Sequence, residues 1–301
     1  MSSVLSPAPV PALRSGLLAL CLAATWLVWG STYLAIKFAL LSFPPFFQMG
    51  TRFLFAGVLL MAWMRWRGAA WPDARQWRNA AVVGALMLGG GMGGTAYAEV
   101  SVGSGLVVAF IAVMPLMIAA LNLFWGEKPQ RLEMAGIGLG LVGVLMLTQG
   151  TGFKASPGGL TAITLACLGW SLGSALSRHK LHLAPGATGF ASEMICGGVV
   201  LMLMSLVHGE TPQWPAQTAA VAAWFYLVVF GSLIAFNAYM VLLANVSSSL
   251  ASSYTLVNPV IAMLLGVAVL GEVVTSFEWL AAGVVLAGVV LMLCAASRRP
   301  D

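Results

Sequence analysis

Arg52 and Glu193 stand at matching positions of an internal repeat, and that repeat constrains the fold more than any other feature of the chain. Leu22-Ala23…Gly30-Ser31…Lys37 returns 143 residues later as Leu165-Ala166…Gly173-Ser174…Lys180. Ala56-Gly57-Val58 returns as Gly197-Gly198-Val199 at an offset of 141, which also carries Arg52 onto Glu193. Gly126-Glu127, Glu133, Gly138 and Gly143 return as Gly271-Glu272, Glu278, Gly283 and Gly288, each 145 residues on. The order and near-constant spacing mark a duplicated unit, and duplicated apolar units of this length point to transporter architectures.

Composition places that unit in a membrane. Hydrophobic residues make up 60% of the chain and charged ones 8%, where a soluble domain carries about 25% charged residues. Mean hydropathy is +0.95. The 301 residues are spent on spans, with no room for a second soluble domain. Apolar runs of about 20 residues, the length that crosses a hydrocarbon core, give ten expected helices. They fall at 16–38, 45–65, 79–98, 102–124, 132–149, 159–178, 187–207, 217–241, 249–270 and 278–296. Prolines at 44, 45, 72, 129, 157, 185, 212 and 215 punctuate the loops. The run Gly89-Gly90-Gly91-Met92-Gly93-Gly94 makes the third span either bent or closely packed, and close packing is the favoured reading.

The net charge of +5 is a topology signal. Arg14, Arg65, Arg67, Arg75, Arg78, Lys128, Arg131, Arg178, Lys180, Arg298 and Arg299 fall on the N-terminal side of the spans. Only Lys37 and Lys154 fall on the other, and Arg52 lies within a span. Eleven against two predicts cytoplasmic termini. Five spans per half then force the halves into opposite orientations. Arg14 and the run after it resemble a signal peptide, but the run continues through Trp26 and Trp29 and pairs with the sixth span, so it stays a helix. The expected fold is all-α: a tail over 1–15, a first five-helix repeat over 16–149, a periplasmic linker over 150–157, an inverted second repeat over 158–296, and a tail over 297–301.

Catalytic chemistry finds no signature. Cys21, Cys167, Cys196 and Cys294 form no CxxC pair and read as small hydrophobes. His179, His182 and His208 lie near loops, and the chain carries no HExxH, Walker loop or paired intramembrane aspartates. The reading therefore expects no enzyme, no metal and no cofactor.

The whole chain, over about residues 16–296, resembles the drug/metabolite transporter superfamily with two EamA-type repeats. Trp29-Gly30-Ser31-Thr32-Tyr33, Arg52-Phe53-Leu54-Phe55-Ala56-Gly57, Pro115, Gly126-Glu127 and Asn258-Pro259…Gly271-Glu272 carry the resemblance. Within it the chain is most similar to exporters of the YddG type, associated with aromatic amino acids and some drugs. The resemblance implies a bacterial inner-membrane protein whose ten helices form a basket. It places a central cavity between the repeats and sets the fifth and tenth helices apart from it.

Candidate site residues come from side chains that do not suit lipid. Trp26, Trp29 and Tyr33 recur at i, i+3 and i+7 in the first span, and Trp170 lies deep in the repeat-equivalent sixth. They read either as a cavity that stacks flat apolar ligands or as ordinary packing. The other tryptophans lie near span ends, in the interfacial belt. In the ninth span Ser248, Ser252, Thr255 and Pro259 share one face. Their hydroxyls and proline-freed carbonyls either meet a substrate ammonium or bond locally between helices. The candidate binding set is Trp26, Trp29, Tyr33, Tyr97, Trp170, Ser174, Tyr239, Tyr254 and Asn258; the candidate gating or coupling set is Arg52, Glu193, Pro115 and Pro259. Arg52 and Glu193 each sit about 10 Å deep from opposite faces at ~1.5 Å per residue, so each is expected to pair locally or face a cavity. The expected partners are a small-molecule substrate and lipid, without nucleic acid, in a monomer or homodimer. The function implied is export of small apolar or aromatic metabolites by alternating access, with a membrane enzyme, a lipid-handling protein or a channel-like protein as alternatives.

Overall fold

The computed structural model describes residues 15–102, 107, 110–149, 156–270 and 274–297. Arg14 and the tail before it, most of the linker with Lys154, Gly271-Glu272, and Arg298-Arg299 lie outside the described residues. In chain order the helices are α1 (Ser15–Ala39), α2 (Pro45–Trp66), α3 (Ala74–Ala98), α4 (Met114–Trp125), α5 (Arg131–Thr148), α6 (Pro157–His179), α7 (Ala187–Val207), α8 (Thr218–Asn245), α9 (Tyr254–Leu270) and α10 (Ser276–Ala296). A one-turn helix, Ser248–Ala251, precedes α9. Eight helical stretches among the described residues are long and apolar enough to cross a membrane; α4 is shorter and α5 has 18 residues. No β-strand occurs among the described residues.

Local chemistry sets the helix ends. Pro45 and Pro157 open α2 and α6, where a missing N–H leaves no broken bond. Two of the repeated residues, Glu133 and Glu278, prove to be matching helix starters. Each reaches back to the N-cap backbone of α5 or α10 in a capping box, with Gln130 and Thr275 as the caps. Gly126 closes the helical turn after α4 at φ 79°, a left-handed conformation that favours glycine.

Helix pairing carries the symmetry of the duplication. α1 packs on α8 and α9; α6 packs on α3 and α4; α2 packs on α7, and α5 on α10. Exchanging the halves maps this set of pairs onto itself. Hydrogen bonds between helix ends obey the alternation expected of successive crossings. Glu210, after α7, accepts from the backbone N–H groups of Phe46 (3.1 Å) and Phe47 (2.8 Å) at the start of α2. At the face where α1 begins, Asn79 of α3 donates to the carbonyl of His182, beyond α6, at 2.9 Å.

The glycines of α3 pack closely, as favoured from the sequence, and the helix also widens. A Cβ on Gly94 would lie 3.1 Å from the Ala162 carbonyl oxygen of α6. Residues Ala85–Gly93 run as a π-helix, as do Ala24–Val28 in α1 and Leu227–Phe236 in α8. The expectation of unbroken spans over 102–124 and 249–270 is corrected. Turns interrupt the chain at 112–113 and 252–253. Pro115 cannot donate to a preceding carbonyl. Ser252 spends its hydroxyl on the carbonyls of Ser248 (2.7 Å) and Ser249 (3.2 Å), a local bond that competes with helix continuation.

Candidate functional site

Four aromatic rings from four helices meet at the centre of the bundle. Trp29 of α1 lies 5.7 Å from Trp170 of α6, 5.4 Å from Tyr239 of α8 and 4.5 Å from Tyr254 of α9, measured between ring centroids. Trp170 and Tyr239 are 5.3 Å apart, and Tyr239 and Tyr254 5.6 Å. Most of these contacts are edge-on or tilted, the arrangement ring quadrupoles prefer. Three of the four rings have hydrogen-bond partners. Trp29 donates its indole N–H to the Gly231 carbonyl (3.2 Å), which lies in the π-helical part of α8. Trp170 donates to the Tyr239 hydroxyl at 3.2 Å, and Ser174 lies 2.8 Å from the same oxygen.

Beside the rings is a cavity of about 40 Å³. Trp29, Thr32, Tyr33 and Ile36 wall it from α1, Met49 from α2, Gly91, Met92 and Thr95 from α3, Trp170 from α6, and Tyr254 and Asn258 from α9. Binding sites for drug-sized ligands measure about 300–1,000 Å³, so this space, as it stands, is closed to a metabolite. A Cβ on Gly91 would come within 3.0 Å of the Trp170 ring, so glycine there lets α3 approach the site. Asn258 is buried, and neither of its amide atoms has a hydrogen bond of normal geometry; the Tyr33 hydroxyl is the polar group set against it.

The structure brings together Trp29, Tyr33, Trp170, Ser174, Tyr239, Tyr254 and Asn258, and separates two candidates from them. Trp26 points elsewhere and donates to Ser253 at 3.0 Å, in the turn before α9. The π-helical turn 24–28 shifts the phase between Trp26 and the residues after it, so the i, i+3, i+7 face is not continuous. Tyr97 stands at the far end of α3, 39% exposed, stacked 5.6 Å from Phe46 and edge-on to His208 at 5.9 Å. The serine face of the ninth span bonds locally: Ser252 to carbonyls behind it, Thr255 to the Ser252 carbonyl at 3.0 Å, and Ser248 as acceptor from Asn122 at 2.9 Å. Pro115 sits in the first turn of α4 and Pro259 inside α9, where neither donates a backbone hydrogen bond.

No ion pair joins Arg52 to Glu193 among the described residues. Both are fully buried, and among the described residues no group hydrogen-bonds to either charged end. The charged group acting on Arg52 is Glu99, just past the end of α3. Glu193 instead stands one helical turn before Cys196 on α7, and its charge acts on the Tyr239 hydroxyl. Sequence reasoning missed Glu99 and Gln48, since one lies at a helix end and the other has no repeat partner of its kind.

A second polar group closes the face where α1 begins. Arg178 at the end of α6 lies 3.3 Å from a Glu127 carboxylate oxygen and donates to the carbonyls of Leu243 and Val246, each at 2.6 Å. His179 stacks on Trp125 at 4.9 Å and lies 3.2 Å from the Asn122 side-chain oxygen. The chain segments after α4, α6 and α8 are thereby tied. Beside them opens a cleft of about 570 Å³, with Arg178, His182, Phe190, Met240 and Asn245 in its walls. At the opposite face a cleft of about 380 Å³ is lined by Leu40, Pro44, Pro45, Val100, Thr211 and Gln213.

The EamA-like transporter family matches this chain twice, over residues 14–149 and 157–294. The chain is 40% identical over 270 residues to the uncharacterized inner membrane transporter YedA of Escherichia coli, covering 89% of this chain and 88% of that protein. It is 25% identical over 283 residues to protein PagO of Salmonella typhimurium, covering 89% and 90%. A crystal structure of a protein overlays with a TM-score of 0.79 at 21% identity, covering 95% of this chain and 99% of that one, a likeness of fold.

Proposed function

This chain belongs to the EamA-like transporter family and is a multi-pass inner-membrane transporter, and on that premise we propose that it exports small metabolites with an apolar or aromatic body by alternating access. The single observation that carries the substrate reading is the small cavity walled by Trp29, Trp170, Tyr254 and Asn258, lined from helices of both halves. Flat faces there can stack a ring, at about 1 kcal/mol for each well-placed aromatic partner.

The outward path begins at the cleft beside Arg178, passes the Tyr239 hydroxyl network, enters the cavity and leaves by the cleft beside Pro44 and Pro45. The Lys and Arg excess on the N-terminal side sets that first cleft in the cytoplasm, with both termini. The stretches 16–149 and 158–296 act as the two inverted halves. A substrate fits only when they separate, because about 40 Å³ holds no more than a few waters. Opening inward breaks the ties of Arg178 to Glu127, Leu243 and Val246. Pro115 and Pro259 supply the weak points in α4 and α9 at which the helices pivot. Glu193 contributes to the polarity around Tyr239, and among the described residues no neighbouring acid or histidine extends a proton relay from it.

Counterflow in liposomes tests the reading. Saturable uptake accelerated by substrate on the other side supports a carrier; unsaturable flux without acceleration would make the protein a pore. Orientation is tested by single cysteines in a background lacking the native four. Those at 42, 154, 210 and 274 should react with an impermeant outside reagent. Those at 70, 128, 182 and 246 should stay protected in intact cells, and labelling at 70 or 128 would overturn the orientation.

A further inference from the structure

Arg65, Arg67, Arg75 and Arg78 crowd into the connection from α2 to α3, and Trp63, Trp66, Trp71 and Trp77 are interspersed among them. The matching stretch of the second half, residues 204–219, lies 141 residues on from 63–78 and holds no Lys or Arg and one tryptophan. The same helical hairpin thus closes without them, so the fold of the unit does not demand this enrichment. A bias of positive charge towards one face explains arginines on that face, but it requires neither this one loop nor the rings.

Local structure holds the group in a fixed shape. α2 ends in a Schellman motif. Gly68 takes φ 83°, its N–H donates to the Arg65 carbonyl and that of Ala69 to the Met64 carbonyl, both at 3.0 Å. The chain turns back, and the Arg65 guanidinium donates to the Ala69 carbonyl and lies 5.8 Å from the Trp71 ring centroid. The Arg67 guanidinium lies 5.9 Å from that of Trp63. Each of these rings has a second against it, Trp66 at 5.0 Å from Trp63 and Trp77 at 6.0 Å from Trp71. The result is two clusters, each of one guanidinium and two indoles. Asp73, the acid of this loop, accepts from the Gln76 N–H at 2.8 Å and caps α3. Among the described residues none of the four arginines has a carboxylate within ion-pair distance. Trp63 is 52% exposed, Trp66 75% and Trp71 57%, and all four arginines are exposed.

We propose that this loop is a docking surface for anionic phospholipid at the face where α1 begins. A guanidinium over an indole keeps its N–H edge for a phosphate, which it can meet with two parallel bonds. Indoles at a span end sit at headgroup level, with an apolar body for the upper acyl carbons and an N–H for the wet side. Arg75 and Arg78, three residues apart at the start of α3, extend the positive surface. A lipid with net negative charge gains from all four arginines. A zwitterionic one brings its own cation to the same place and gains less. Arginine and tryptophan would also suit nucleic acid, but these rings stand at the ends of spanning helices, where the neighbour is the bilayer.

Lipid binding to the purified full-length protein, read by native mass spectrometry, tests it. Phosphatidylglycerol and phosphatidylcholine with the same acyl chains are the probes. Wild type should hold phosphatidylglycerol at least about tenfold more tightly. Arg65→Gln with Arg67→Gln should weaken it roughly thirtyfold, about fivefold for each charge. Lys128→Gln with Arg131→Gln removes two charges from the α4–α5 loop on the same face and should leave it near the wild-type level. Equal loss in both pairs would mean that the lipid senses only the charge of the face, and would overturn the site. So would equal binding of the two lipids by wild type, a comparison that decides even if a variant fails to fold. Release of bound phosphatidylglycerol by a single-stranded oligonucleotide of equal phosphate content would reassign the surface to nucleic acid and overturn it too.

Discussion

The central cavity and the α5–α10 pair are built from the same duplicated sequence by opposite means. α5 and α10 meet through glycines: a Cβ on Gly136 or on Gly288 would come within 2.6 Å of the other's carbonyl oxygen. Around this contact Ile137, Val144, Val285, Val289 and Met292 make a compact apolar core of their own with α9. The cavity takes no wall from α5 or α10. Four of its wall residues are aromatic, and Trp29 and Trp170 donate to Gly231 and Tyr239 of α8, on helices interrupted by π-turns and proline. Backbone-to-backbone packing has one arrangement, because a close-packed interface has no slack. A ring and hydroxyl network has several, since each bond can be exchanged for one to a ligand. In this account the first region holds the halves together and the second moves.

The sharpest way to break the contrast is to place the same kind of change in both regions. Gly288→Val should force the α5 and α10 backbones apart and cost about 3 kcal/mol or more, read as lost folded protein and a lower Tm in detergent. Gly91→Ala adds one methyl group against the Trp170 ring edge, a side chain able to give by tenths of an ångström. It should keep near-normal abundance and lower transport. If Gly91→Ala unfolds the protein while Gly288→Val is tolerated, the assignment of rigid and mobile regions is reversed. A smaller effect is expected from Tyr239→Phe, which removes the hydroxyl shared by Trp170 and Ser174. The loss of these two hydrogen bonds, about 1 kcal/mol or more in all, should lower transport at least roughly fivefold at unchanged abundance. The smallest belongs to Val290→Ala on the outer side of α10, 54% exposed within the protein, where both transport and Tm should stay within error.

Much of this architecture was legible because it follows from periodicity. The apolar runs locate most helices to within a few residues, and the charge bias gives the alternation that the Glu210 and Asn79 hydrogen bonds obey. Trp29 and Trp170 were legible because tryptophan deep in a span is unusual, and their repeat-equivalent helices bring the two rings into edge-on contact. Trp26 was misplaced because helical periodicity assumes 3.6 residues per turn, and the π-turn before Trp29 breaks that count. Tyr239 and Tyr254 meet Trp29 only through long-range packing, which no spacing within one helix reveals. Glu99 escaped for a different reason. At a helix end it reads as a solvated terminus, and only tertiary packing buries its carboxylate oxygens. The ties of Arg178 likewise depend on where three chain segments end together, a fact of tertiary structure.

The claim that the ring cluster is the place where substrate is held is tested most directly at Trp29, a cavity-lining ring in contact with the other three. Counterflow of an aromatic amino acid should be measured in liposomes containing equal amounts of folded wild type and Trp29→Ala, with Val290→Ala alongside. Loss of one stacked ring predicts about 1 kcal/mol, hence roughly a fivefold weaker apparent affinity, in the tryptophan variant alone. Wild-type affinity and rate in Trp29→Ala, at equal folded protein, would contradict the account and place the transport site elsewhere in the bundle.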